Sequence, residues 1–214
     1  MTTTEKFRTE LRAQEIGAHY SGIVHFLLTN IVAIALTTGC LIGLTAVRPA
    51  EWLTLPLTFF FANFVEYFAH RAGMHHVVPG LMMLYRNHAI RHHRFFTHEA
   101  MGADSPRDFH QVLFGPLTAC IFLGTFLIPI AALLYFTAGA NSALLYVATG
   151  LIYFLNYEWL HLIYHCPKTS WLKRLPVKTL SRLHTLHHDP RVMSRKYFNI
   201  TFPVADWIFK TGKA

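Results

Sequence analysis

The stretch EYFAHRAGMHHVVPGLMMLYRNHAIRHHRFFTH, residues 66–98, sets the reading of the whole chain. It follows an apolar run and holds seven of the fifteen histidines. Their pattern is His70-x4-His75, then His88-x3-His92-His93. Nearer the C-terminus the theme returns as His161-x3-His165 and His184-x2-His187-His188. Two questions follow: what the apolar runs dissolve in, and what the imidazoles hold.

Of the 214 residues, 53% are hydrophobic and 14% charged, and phenylalanine supplies 18. Continuous apolar runs of membrane-spanning length explain this better than a large water-soluble core. The length suits one domain over residues 1–214. A net charge of +8, histidine counted neutral, would suit nucleic acid in a polar chain, but most of this chain is apolar, which argues against that partner. Cys40, Cys120 and Cys166 form neither a disulfide framework nor a CxxC metal motif. No cleavable signal peptide is evident: residues 1–22 are polar and mixed in charge, and the apolar run after them is too long.

Outward from the histidine stretch, residues 52–70 form an apolar span that runs directly into His70. Residues 23–47 form another, ending at Arg48-Pro49, and the short connection makes the two antiparallel neighbours. Residues 1–22 read as a short helix at the membrane surface. After the Pro79-Gly80 turn, LMMLYRNHAIRHHRFF has helical spacing and reads as a helix lying along the membrane. Residues 112–137 are apolar but interrupted by Gly115-Pro116, Gly124 and Pro129; one kinked span is preferred over a re-entrant hairpin. Residues 143–165 form the last span and carry Asn156, Glu158, His161 and His165. The tail, 166–214, is basic, with Trp207-Ile208-Phe209 as an interfacial anchor. The expected fold class is all-α: an integral membrane protein of four transmembrane helices with a cytoplasmic, histidine-rich helical cap.

Charge placement agrees with that topology. With four spans, residues 1–22, 71–111 and 166–214 share one side and hold 18 of the 19 Lys and Arg residues; Arg48 alone falls opposite. The positive-inside rule puts that side, both termini and all four histidine clusters in the cytoplasm, at a bacterial inner membrane or the endoplasmic reticulum.

Imidazole is the commonest metal ligand among side chains. Residues four apart on a helix share a face, so His161 pairs with His165, His88 with His92, and His184 with its neighbours His187 and His188. His70 and His75 are five apart, which does not align on a continuous α-helix; Gly73 could end the helix between them, and His76 could replace His75. One zinc would use four histidines at most. Ten fit two metals with about five imidazoles each, and the spacing leaves zinc, copper, iron and nickel open. Glu66 lies one turn before His70 and Glu158 nearly one turn before His161, and Asp189 follows His188. Each is expected to accept the second ring N–H of a ligand histidine, with an interfacial, water-exposed acid as the alternative.

At these residues the sequence resembles the fatty acid hydroxylase superfamily of membrane di-iron enzymes, which includes sterol desaturases and carotenoid hydroxylases. HRAGMHH at 70–76, LYRNHAIRHH at 84–93, HLIYH at 161–165 and HTLHH at 184–188 carry the resemblance, in the family's order. It implies ligands at His70, His75, His88, His92, His93, His161, His165, His184, His187 and His188. The second motif departs from the pattern: three residues, not two, separate His88 from the His92-His93 pair. The resemblance implies two iron ions, with zinc as a substitute in purified protein, and dioxygen as co-substrate. It implies a lipid substrate (fatty acyl, sphingoid, sterol or carotenoid), and a separate ferredoxin-like or cytochrome-like electron donor, since no haem domain is fused here. A desaturase on the same scaffold is the alternative. A metal transporter is a third reading; it would put its ligands near the bilayer midplane rather than at one boundary. The basic residues Lys168, Lys173, Arg174, Lys178 and Arg182 would meet either the electron donor or anionic lipid headgroups.

Overall fold

The computed structural model describes residues 1–167 and 169–212, with the side chains of Lys173 and Arg174 outside that description. Among the described residues the chain is all-helical; the nearest thing to a strand is an isolated bridge from Thr97 to Ala100. The helices are α1 (Thr3–Glu15), α2 (Gly22–Ile42), α3 (Thr54–Phe68), α4 (Met82–Tyr85), α5 (His93–Phe95), α6 (Pro116–Phe122), α7 (Ile128–Thr137), α8 (Ala140–His165), α9 (Lys178–His187) and α10 (Val204–Ile208). Wider π turns occupy Ala69–Met74, Arg86–His92 and Leu123–Leu127.

The chain divides into two compact units. One comprises Met1–Val24, Asn63–Leu113 and Glu158–Ala214; the other comprises His25–Ala62 and Phe114–Tyr157.

The second unit is built from apolar helix. Its rings meet edge-on, as Phe59 does Tyr153 and Phe61 does Phe126. The Tyr146 hydroxyl donates to the Phe126 carbonyl at 2.9 Å, so the phenol brings no unpaired donor into an apolar setting. Loop polarity is gathered at Asn141, whose amide accepts from Thr45 N at 3.1 Å and donates to Thr45 O at 2.7 Å. From 116 to 137 the chain is helical throughout, so the hairpin alternative is excluded. The π turn at Leu123–Leu127 comes just before Pro129, where the missing N–H and the ring disturb a regular α ladder.

Among the described residues, two stretches are long and apolar enough to cross a membrane, Gly22–Ile42 and Pro106–Thr137. Their most apolar windows are only 11% and 6% buried, whereas a core helix of a soluble protein is mostly covered. On α2, Leu27, Leu28, Ile31 and Val32 all stand at least half exposed. So much contiguous apolar surface is costly in water and free of cost in hydrocarbon. The other expected spans, 52–70 and 143–165, are also helical, but α3 gives way to a π turn after Phe68 and α8 carries polar residues through its second half.

The first unit collects short helices and ordered loops. Helix α1 opens on a capping box, in which the Thr2 hydroxyl accepts from Glu5 N and Thr2 N donates to the Glu5 carboxylate. The α1 residues Arg8 and Arg12 reach the loop that runs from Phe95 to Asp108. The segment after α9, residues 197–206, is tied down by three buried side chains, Asn63, Glu66 and Asp206. Asn63 donates to Phe202 O at 2.7 Å and accepts from Ala205 N at 3.1 Å.

Candidate metal centre

All ten histidines singled out in the sequence lie in the first unit, and all are buried, none more than 8% exposed. They form two groups. Ring nitrogens of His70, His75, His88, His93 and His187 lie within 4.8 Å of one another, and so do those of His92, His161, His165 and His184. His188 joins the second group, its Nε2 lying 3.2 Å from that of His92 and 3.0 Å from that of His184.

The π turns explain how odd spacings reach common points. A π turn bonds residue i to i+5, so positions five apart, not four, return to one face. His70 lies in the turn Ala69–Met74 and His75 follows it, and their Nε2 atoms are 3.1 Å apart. His88 and His93 are related in the same way by the turn Arg86–His92, with Nε2 atoms 3.1 Å apart. The extra residue in the second motif is therefore absorbed by the wider turn, and His88 sits 2.7 Å from His70 in the first group. His76 points away; it is exposed and its Nδ1 meets Arg71 O. Adjacent residues on a helix point in different directions, so His92-His93 and His187-His188 are each divided between the groups, contrary to the expectation that His187 shares the face of His184. On α8 and α9 ordinary four-residue spacing holds: His165 and His184 approach to 2.9 Å, and His161 lies 3.3 Å from His92.

The outer nitrogens settle the tautomers. Nδ1 of His92 donates to Gln111 O at 2.6 Å, that of His165 to Met101 O at 3.0 Å, and that of His187 to Lys196 O at 2.8 Å. His70 and His188 donate likewise to Phe198 O and Phe96 O. A carbonyl only accepts, so each of these Nδ1 atoms carries the proton and each Nε2 presents a lone pair. His92 and His188 then face each other at 3.2 Å with two lone pairs and no proton between them, an arrangement that calls for a cation. Nitrogens held about 2.1 Å from one ion lie about 3 Å from their nearest fellows. The neighbouring Nε2 pairs, from 2.7 Å between His70 and His88 to 3.3 Å between His92 and His161, match that spacing. The residues fit a metal in each group.

Burial keeps these rings neutral, the form that binds metal. Desolvation pulls His92 down to about 4 and holds His75, His88, His93, His184, His187 and His188 well below the usual 6.5. Like-charge repulsion among neighbouring rings adds to it at His75, His88 and His184.

The three acids were expected to hold histidine rings. Glu66 instead takes the main-chain N–H groups of Ile200 and Thr201 and the Thr201 hydroxyl, and so secures the segment whose Phe198 carbonyl receives His70. Asp189 turns to Arg191, accepting from its main-chain N–H and its guanidinium at 3.0 Å. Glu158 is 1% exposed; burial and the charge of Glu158 together raise the Tyr20 phenol. Five of the ring N–H partners are main-chain carbonyls, which no side-chain pattern displays. Arg8 and Asp206 were not singled out either; each is a buried polar residue near an end of the chain, with no motif to mark it.

The family model described as Fatty acid hydroxylase matches residues 55–211. No curated protein matches. A solved structure described as full-length scs7p, in which only the hydroxylase domain is visible, superposes with a TM-score of 0.62 at 17% sequence identity. The match covers 91% of this chain and 67% of that one. At that identity the likeness speaks for the fold.

Proposed function

The chain belongs to the fatty acid hydroxylase family, and on that premise we propose that it is a membrane-bound di-iron oxygenase that hydroxylates a C–H bond of a lipid. The observation that carries this reading is the pair of five-imidazole groups whose unprotonated nitrogens converge. His70, His75, His88, His93 and His187 would hold one ion, and His92, His161, His165, His184 and His188 the other. With iron bound, such a site supplies the oxidising chemistry that breaks an unactivated C–H bond, using dioxygen and two electrons. The chain's own residues do the rest. The carbonyls of Phe96, Met101, Gln111, Lys196 and Phe198 fix the ring orientations and keep the protons on the outer nitrogens. Burial of all ten rings keeps bulk water from the reacting centre.

On this reading both units serve one domain over residues 1–214, four spans cross the bilayer, and both termini and the imidazole groups face the cytoplasm. The low burial of α2 and of Pro106–Thr137 supports it, as does the one-sided distribution of Lys and Arg. Electrons come from a separate ferredoxin-like or cytochrome-like carrier. Lys178 and Arg182 stand exposed on α9, the helix that carries His184 and His187, and offer an acidic carrier a short route. Lys168, and the side chains of Lys173 and Arg174, lie outside the described residues.

The test is to purify wild type and His187→Ala from membranes, measure iron per chain, and follow oxygen-dependent product by mass spectrometry of lipids. Wild type should hold two irons and add one oxygen atom to a lipid; His187→Ala should lose iron and product together. Equal iron and equal product in the two proteins would overturn the proposal. Loss of two hydrogens in place of a gained oxygen would make the protein a desaturase.

A further inference from the structure

We propose that Arg8, on the N-terminal helix, is the positioning residue of the second imidazole group alone, and that Glu66 serves the first group in the same way. This rests on the reading of the two groups as metal centres.

The geometry at Arg8 is specific. Its guanidinium is buried, and its fork grips two carbonyls, with Nε donating to Phe95 O at 2.7 Å and Nη2 to Ala100 O at 2.6 Å. Each is the carbonyl just before one that orients a histidine. The next residue after Phe95 is Phe96, whose carbonyl receives His188; the next after Ala100 is Met101, whose carbonyl receives His165. A planar fork with fixed spacing holds two peptides at a set separation, which a flexible ammonium cannot do. Asp104 lies 3.3 Å from the same guanidinium, and Arg12 ties Asp104 at 2.6 Å and Asp108 at 2.7 Å. The ring of Phe96 also packs on that of His165, with centroids 4.1 Å apart. All the histidines oriented through this loop belong to the second group.

The first group is held from elsewhere. Its oriented members, His70 and His187, use the carbonyls of Phe198 and Lys196. Glu66 grips Ile200 and Thr201 just beyond them, and Asp206 accepts from Phe198 N at 3.1 Å and Asn199 N at 2.8 Å. Arg8 touches none of this. Residues 1–54 also lie outside the family match, so the second centre depends on a part of the chain that the family pattern does not describe.

The experiment is metal stoichiometry of the full chain in detergent, by elemental analysis, with no turnover required. Wild type should hold two metals, and Arg8→Ala and Glu66→Ala one each. Pairing each with a ligand variant shows which centre was emptied. Arg8→Ala with His75→Ala should hold none, whereas Arg8→Ala with His161→Ala should still hold one; Glu66→Ala should give the opposite pattern. Glu66→Gln, which keeps the acceptor for both N–H groups, should restore two metals. Arg8→Lys keeps the charge but has no rigid fork to set the separation of the two carbonyls, and a chelator should strip one of its two metals roughly tenfold faster than in wild type. That variant carries the test if Arg8→Ala does not fold. An Arg8→Ala protein that keeps two metals, or loses both, overturns the inference while leaving the metal centres standing. A wild type without metal overturns both.

Discussion

The rings of His93 and His188 lie stacked, centroids 4.2 Å apart and planes 25° from parallel, although one belongs to each imidazole group. They form a shared wall between the groups. His75 packs on rings of its own group, His70, His88, His93 and His187, and His161 on rings of its own, His92, His165 and His184.

Ligand replacement should therefore differ by position. His75→Ala and His161→Ala are each expected to retain about one metal per chain, because each removes a ring from a single group. His93→Ala removes a ring of the first group and also the surface on which His188 rests, so its retained metal should fall clearly below one. Elemental analysis of the three purified variants decides it; equal retention would show that the wall does not couple the groups.

The length of the second motif should be indispensable here. Deleting Ala89 would give two residues between His88 and His92, but in a turn built with one more. His88 would then rotate off the face it shares with His93. Metal affinity should drop by roughly tenfold or more, on the scale seen when metal-site geometry is disturbed. Competition with a chelator of known affinity measures this, and an unchanged affinity would mean the turn readjusts.

Acid should destabilise the metal-free protein in a defined window. The unfolded chain takes up protons near 6.5, while burial holds His92 to about 4 and six further histidines well below 6.5. Below 6.5 the unfolded state thus binds more protons, so stability is full above 6.5 and is lost as pH falls toward 4. For His92 this costs up to about 1.4 kcal/mol per pH unit across that window, and the other six act in the same direction. Melting temperature in detergent should be flat from pH 8 to 7 and lower at pH 5.5. A flat profile down to pH 5 would show that these rings take up protons without leaving the fold.

Two glycines on one helix should respond oppositely. A Cβ on Gly22 would come 1.9 Å from Pro106 O and 2.7 Å from Phe109 Cβ, so backbone must move. Gly22→Ala should lower stability by roughly 2 kcal/mol or more. At Gly39 a Cβ meets nothing within 4 Å, and Gly39→Ala should be neutral or stabilising by up to about 1 kcal/mol through helix propensity. Paired thermal melts test both; a harmless Gly22→Ala would deny that the start of α2 is pressed against Pro106 and Phe109.

Much of the site was legible because metal-ligating chemistry uses one residue type at helical spacings, and histidine is rare enough elsewhere in this chain to make the clusters visible. The all-helical class followed from long apolar runs for a similar reason. The meeting of His70 with His75 and of His88 with His93 was not legible, because it depends on where α turns widen, and no residue announces a π turn. The partners of the ring N–H groups were missed for a different reason. Carboxylates can be seen in a sequence, so Glu66 and Asp189 drew the assignment. Most of the ring N–H groups with an identified partner instead go to main-chain carbonyls, which every residue has and none advertises. Arg8 is invisible on the same grounds, since its targets, Phe95 O and Ala100 O, lie some ninety residues away.

The carbonyl of Phe198 that orients His70 sits 128 residues downstream of it, and Asp206, which steadies that carbonyl, comes later still. A nascent chain emerging from the ribosome therefore carries His70 without its partner until those residues have been made. The second group is finished once His188 has been made, and the first only when residue 206 is out. Ion insertion at the first group then follows synthesis of residue 206, and a cell starved of metal should accumulate empty protein rather than arrested fragments.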